Sequence, residues 1–180
     1  MFKNELEQRI RLLQEKIEKC AIEAYIVTAE EDIWYLTGIT YRPEERPFFI
    51  VVSPRSKPIL IVPRLEEAHV HKAIIDCEIM AYWEYPSPAG KNWYDILNRT
   101  LERFNRVGIE VNVKSDVFFK IDAKELVRAE FVAEQRQVKS PFELKMIRSS
   151  AKICDETMGT LFNSVYPGIS VVETFAISKN

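Results

Sequence analysis

Two unbroken apolar runs, Phe48-Phe49-Ile50-Val51-Val52 and Ile59-Leu60-Ile61-Val62, constrain this chain more than any other feature. Neither alternates with polar residues, so neither reads as a strand with one wet face. Strands of this kind are buried on both sides. The link between them, Ser53-Pro54-Arg55-Ser56-Lys57-Pro58, is built from turn-forming residues. The pair therefore predicts an antiparallel hairpin at the centre of a covered sheet.

The surrounding pattern supplies the cover. Leu6, Ile10, Leu13, Ile17 and Cys20 recur at steps of four and three, the stripe of an amphipathic helix, with Asn4 and Glu7 spaced as its capping box. Tyr25-Ile26-Val27-Thr28 reads as a strand. Thr28 and Glu31 suggest a second capping box, opening a short helix through Trp34-Tyr35-Leu36. Gly38 sits where a left-handed cap would end that helix. Residues 64–73 read as a helix, 78–83 as a strand, and 86–90 as a loop. Trp93, Ile96, Leu97, Leu101 and Phe104 mark another amphipathic helix. Val107-Gly108-Ile109-Glu110 reads as a strand, residues 115–123 as a helix, and residues 130–133 as a last strand. Helices alternating with short apolar strands predict an α/β domain with a mixed sheet flanked by helices.

Beyond about residue 135 the character changes. Ser140-Pro141-Phe142-Glu143 is a helix start: Ser140 caps, Pro141 suits the first helical position, and Glu143 closes the box. Leu144, Ile147, Ala151, Cys154, Met158, Leu161 and Val165 then continue at steps of three and four. They predict a helix of about 25 residues, roughly 37 Å long, ending at Pro167-Gly168. Ser170 and Glu173 open one more helix. An apolar stripe of that length needs a partner layer, and a helix of about ten residues is marginal alone. The expectation is a second domain, begun here and cut short.

Bulk properties narrow the function. The 180 residues carry 25 Lys and Arg against 27 Asp and Glu, a net charge of −2, and 47% are apolar. That balance excludes a strongly basic nucleic-acid binder and an acidic disordered tail. With 5 glycines, a Gly-rich phosphate loop is not expected. No apolar run reaches the roughly 20 residues needed to cross a bilayer, and no apolar signal core follows Met1-Phe2-Lys3-Asn4-Glu5. A cytoplasmic protein is expected, with Cys20, Cys77 and Cys154 as reduced, buried thiols.

Four segments, in order, carry a family resemblance. Arg9 and Leu12 lie in an opening helix that runs into Ala24-Tyr25-Ile26-Val27. Asp32-Ile33-Trp34-Tyr35-Leu36-Thr37-Gly38 contains a Tyr-Leu-Thr-Gly segment. Val138-Lys139-Ser140-Pro141-Phe142-Glu143-Leu144 forms a Lys-Ser-Pro-x-Glu junction, and Val165-Tyr166-Pro167-Gly168-Ile169-Ser170 supplies a Pro-Gly turn. Together they resemble the creatinase/prolidase/aminopeptidase P superfamily. The resemblance implies an amino-terminal ribonuclease-H-like domain over residues 1–135. Residues 136–180 would be the linker and first helices of a truncated pita-bread catalytic domain. It further implies a parent Xaa-Pro peptidase holding two divalent ions (manganese, cobalt or zinc) on two Asp, one His and two Glu. All of those ligands fall beyond the region covered here. Residues 139–180 contain no His, and Asp155, Glu156 and Glu173 fall in the first helices. No catalytic or metal-ligating residue is therefore assigned, and this chain alone is expected to be inactive. Its role would be homodimer or higher assembly and control of substrate access. The alternatives are the matching domain of a creatinase-like amidinohydrolase or other small-amide hydrolase, and a standalone interaction module. No nucleic acid or membrane partner is expected.

In the family this domain often supplies residues that border the active site of a neighbouring subunit. The charged, Pro-stiffened segment from Thr40 to Pro47 is the matching kind of element, with Tyr41, Arg42 and Arg46 as substrate-access candidates and Trp34 beside them in sequence. An Arg there could hold a substrate carboxylate through a bidentate contact. The other chemical signals are weaker. His69 and His71 would point about 200° apart on a helix, and Glu30-Glu31-Asp32, Glu44-Glu45 and Glu66-Glu67 read as solvated or helix-capping carboxylates.

Overall fold

A computed structural model describes residues 2–41, 46–70 and 75–177. The chain separates into two compact units, Met1–Gln137 and Val138–Asn180.

The first unit is a six-stranded mixed sheet with helices on both faces. In chain order its elements are α1 (Phe2–Lys19), β1 (Ala24–Val27), α2 (Glu30–Thr37), β2 (Phe49–Val52) and β3 (Ile59–Pro63). A 3-10 turn (Arg64–Glu66) follows, then α3 (Glu67–Val70), β4 (Glu78–Tyr82), α4 (Trp93–Leu101) and β5 (Arg106–Ile109). The unit closes with α5 (Ser115–Phe118), β6 (Glu125–Arg128) and α6 (Phe131–Gln137). Strand order across the sheet is β4-β3-β2-β1-β5-β6. β2 pairs antiparallel with both β1 and β3, whereas β3–β4, β1–β5 and β5–β6 are parallel.

The hairpin forms as its sequence predicts, and every residue of β1, β2 and β3 is buried. The pleat divides their side chains between two cores. Tyr25, Val27, Ile50, Val52, Leu60 and Val62 meet Leu6, Ile10, Leu13 and Ile17 of α1, together with Leu36 of α2 and Val132 of α6. Ala24, Ile26, Phe49, Val51, Ile59 and Ile61 meet Leu97 and Leu101 of α4 and Val117 of α5. A β-sheet without alternation needs this double cover, and the amphipathic helices supply it.

One close approach fixes the middle of the sheet. Gly108 lies opposite Tyr25 in the parallel β1–β5 pair. A Cβ at Gly108 would sit 2.6 Å from Tyr25 Cδ2, so glycine makes room for that buried ring. The Tyr25 hydroxyl crosses the layer and donates to the Ala129 carbonyl at 2.5 Å.

Several local expectations are corrected. The strand expected over residues 130–133 lies earlier, at β6, and Phe131 and Val132 instead begin α6 with both side chains buried. A run with two adjacent buried apolar residues fits either period, and packing decides. Helix α1 starts at Phe2, so Asn4 lies inside its first turn rather than at its cap. Phe2 packs against the core, which anchors the helix ahead of Asn4. α2 has Ala29 at its cap with no side-chain bond, because Thr28 is engaged elsewhere. The expected helix over 64–73 is a 3-10 turn passing into α3, and residues 71–74 lie outside the described residues. Cys20 and Cys154 are exposed rather than buried. Cys77 is half-buried, where burial pushes its thiol up to about 11.

The second unit consists of α7 (Pro141–Ser164) and α8 (Val171–Ile177). Both capping boxes read in the sequence are present. Ser140 Oγ accepts from the Glu143 N–H at 3.1 Å, and Ser170 Oγ accepts from the Glu173 N–H at 3.2 Å. No residue of either helix is buried. No helix among the described residues is long and apolar enough to cross a membrane.

Candidate functional site

The segment that sequence reasoning singled out leaves α2 through Gly38, whose φ of 73° is the left-handed conformation the cap requires. The position of α2 therefore sets where the segment begins. Two buried carboxylates hold that helix.

The first is Glu110, just past the end of β5 and 3% exposed. One carboxylate oxygen, Oε2, accepts three hydrogen bonds from the turn between β1 and α2. The donors are the Thr28 N–H at 2.6 Å, the Thr28 hydroxyl at 2.8 Å and the Ala29 N–H at 2.8 Å. The other oxygen, Oε1, is buried with no protein partner. Loss of water around the carboxyl pushes it up to about 7, although the Thr28 and Ala29 donors pull it down. The second carboxylate is Asp32, 4% exposed in the first turn of α2. It pairs with the guanidinium of Arg136 in α6 at 2.5 Å. These two groups tie α2 to β5 and to α6. They lie at the carboxyl end of the parallel strands β1 and β5, whose onward connections lead to opposite sides of the sheet. Open α/β sheets commonly place ligand sites at such a position.

Glu110 and Arg136 do not stand out in the sequence, and Asp32, expected as a solvated or helix-capping carboxylate, is instead buried against Arg136. The one available signal was a charged residue directly after the apolar strand Val107-Gly108-Ile109. Their partners lie 82 and 104 residues away, beyond the reach of spacing arguments.

Of the four substrate-access candidates, the structure brings two together. Tyr41 stacks on the buried Phe48, with ring centroids 5.0 Å apart. Its hydroxyl lies 3.5 Å from the Arg46 carbonyl. Arg46 is exposed and lines a cleft of about 600 Å³ formed with residues after β4 and at the start of α4. Trp34 stands on α2 with half its surface exposed. Arg42 lies outside the described residues, as do Glu44 and Glu45.

The described residues contain no group of three or more His, Cys, Asp or Glu able to hold a metal ion. His69 stands 3.3 Å from the Thr40 carbonyl, next to the candidate segment, and His71 lies outside the described residues. This donor set does not fit the divalent pair that the resemblance implies. No chemical step through metal follows from these residues.

Comparison with known proteins agrees with this anatomy. Residues 9–140 match the family model of the creatinase/prolidase N-terminal domain. "Putative dipeptidase YkvY" of Bacillus subtilis strain 168 is 22% identical over 178 residues, covering 93% of this chain and 48% of that protein. The prolidase from Pyrococcus horikoshii OT3 superposes with a TM-score of 0.71 at 19% identity, over 96% of this chain and 48% of its own. The creatinase/prolidase N-terminal domain of an X-Pro dipeptidase from Streptococcus pyogenes superposes with a TM-score of 0.59 at 20% identity, covering 68% of this chain and 99% of its own. The chain spans about half the length of the curated relatives it matches. With its family model matched over residues 9–140 and a sheet covered on both faces, the chain belongs to the creatinase/prolidase N-terminal domain family.

Proposed function

We propose that this chain supplies the amino-terminal, non-catalytic half of an Xaa-Pro dipeptidase-type hydrolase. Residues up to about 137 serve subunit assembly and substrate access, and α7 and α8 begin the catalytic half. One observation carries the reading. Along the α7 stripe Leu144, Ile147, Met158 and Val165 are exposed and no residue of the helix is buried, although its spacing is that of a helix with one covered face. Such a stripe needs a second layer. The relatives are about twice as long as this chain, and the additional length of a protein of this type would provide it. The hydrolytic chemistry, with its divalent ions and its peptide or small-amide substrate, then belongs to that second half.

Within this reading the first unit acts by position. Glu110 and Arg136 hold α2, α2 sets the exit at Gly38, and Tyr41 and Arg46 follow. Arg46 is free to meet a substrate carboxylate with two parallel N–H bonds. The test couples light-scattering mass with hydrolysis of an Xaa-Pro dipeptide, with and without manganese. A discrete dimer without turnover is the expected result. Metal-dependent turnover by this chain alone would overturn the proposal, because the ligands would then have to lie within it.

A further inference from the structure

Glu110 carries a buried polar atom that the fold leaves unanswered. Its Oε2 takes all three donors from the Thr28–Ala29 turn, while Oε1, equally buried, has no protein partner. An unmatched oxygen away from water costs free energy in either protonation state, and most in the charged one.

The groups around Glu110 do not offset that cost. Asp32, in the first turn of α2, is a second buried carboxylate and opposes a charge on Glu110. Arg136 of α6 is paired with Asp32. Tyr25 of β1 keeps its proton because it is buried, and its hydroxyl is committed to the Ala129 carbonyl. Glu130, between β6 and α6, adds a negative charge near Tyr25. Only the three donors on Oε2 favour ionisation, and they serve one oxygen of the two.

The position of Glu110 allows a second arrangement. The pairing of β5 with both of its neighbours ends at Ile109, so Glu110 stands on backbone outside the ladder. Val111, next along the chain, is 41% exposed. A turn of the Glu110 side chain can therefore reach water while the strands stay paired. The donors left behind belong to the entry of α2, where the cap residue Ala29 contributes no side-chain bond. We infer that Glu110 is a proton-operated latch on the amino end of α2: the neutral carboxyl stays inside and holds the Thr28–Ala29 turn, and the ionised carboxylate turns out to water and releases it. The folded carboxyl binds its proton more tightly than an exposed one, so the latched form prevails below about pH 7 and gives way above it. The latch uses no catalytic group and lies within the first unit, so it stands or falls apart from the hydrolase reading above.

The experiment follows the Thr28 and Ala29 amides of the 180-residue chain by nitrogen-15 NMR as pH is raised, with exchange rates corrected for their intrinsic pH dependence. Release has the opposite sign from ionisation in place. A carboxylate that stayed inside would strengthen the bonds it accepts, moving both amide protons downfield and raising their protection. A released turn moves them upfield, and their protection should fall about tenfold between pH 6 and pH 8. The dispersed signals of β1 and β2 should persist throughout. Glu110→Gln, which keeps the size and an accepting oxygen, should hold the turn at every pH. The sign of the wild-type shift decides the question even where that variant does not fold. Downfield movement, the absence of any titration, the same pH dependence in Glu110→Gln, or loss of all native signals together would overturn the proposal.

Discussion

Helices α1 and α7 carry the same kind of apolar stripe and end in opposite circumstances. On α1, Leu6, Ile10, Leu13 and Ile17 are all buried against the sheet. On α7, Leu144, Ile147 and Met158 are all exposed. α7 is also the longer of the two, with a capping box at Ser140 and Pro141 at the first position. Local helix chemistry and tertiary burial are thus separate quantities. The first unit has both, and the second has only the local part. The stripe of α1 is packed into a core, whereas no residue of α7 is buried.

The largest effect should come from breaking the finished core. Leu13→Ala removes a fully buried side chain between α1 and the sheet and should cost about 3 kcal/mol. Ile147→Ala on α7, 51% exposed, should change stability by less than about 0.5 kcal/mol. Urea denaturation of both variants measures the contrast. Similar losses at the two sites would remove it.

Next comes Gly108→Ala, which forces a methyl group against the Tyr25 ring. A loss of about 2 kcal/mol is expected, as for overpacking in general. A shifted near-ultraviolet tyrosine signal would accompany it.

Glu110 sharpens the comparison through pH. Its folded-state value of about 7 lies above the ordinary value of 4.5, because burial penalises the charged form. The folded protein therefore binds this proton more tightly than the unfolded chain does. The resulting stabilisation is complete below about pH 4.5, falls as pH rises toward 7, and is gone above it. The wild-type protein should lose stability relative to Glu110→Gln between pH 5 and pH 8, read as the difference in urea midpoints. A constant difference across that window would show that Glu110 ionises alike in both states.

The smallest effect lies in the second unit. Ser140→Ala deletes the capping acceptor of α7 and should cost that helix about 1 kcal/mol. Far-ultraviolet circular dichroism should show lower helix content, with the unfolding midpoint of the first unit unchanged.

What the sequence revealed follows the same division. Features decided within a few residues were readable: the hairpin between Phe49 and Pro63, the left-handed Gly38, and the boxes at Ser140 and Ser170. Features decided at long range were not. Thr28 has a suitable spacing to Glu31 for a box, yet its hydroxyl bonds to Glu110. Asp32 looked like one more solvated carboxylate, yet it is buried against Arg136. Phe131 and Val132 suit a strand as well as a helix, and only the core they fill chooses between them. The candidate segment was conspicuous because proline and charge cluster there. The cleft beside it was not, because its wall comes from two stretches on either side of a loop.

Hydrogen exchange of the 180-residue chain, read by mass spectrometry at peptide resolution, tests the division most directly. Amides of β1, β2 and β3 should open only with global unfolding. Those of α7 and α8 should exchange at least about a hundredfold faster, through local opening. Equal protection of α7 and the central strands would contradict the account, because the second unit would then already have its partner.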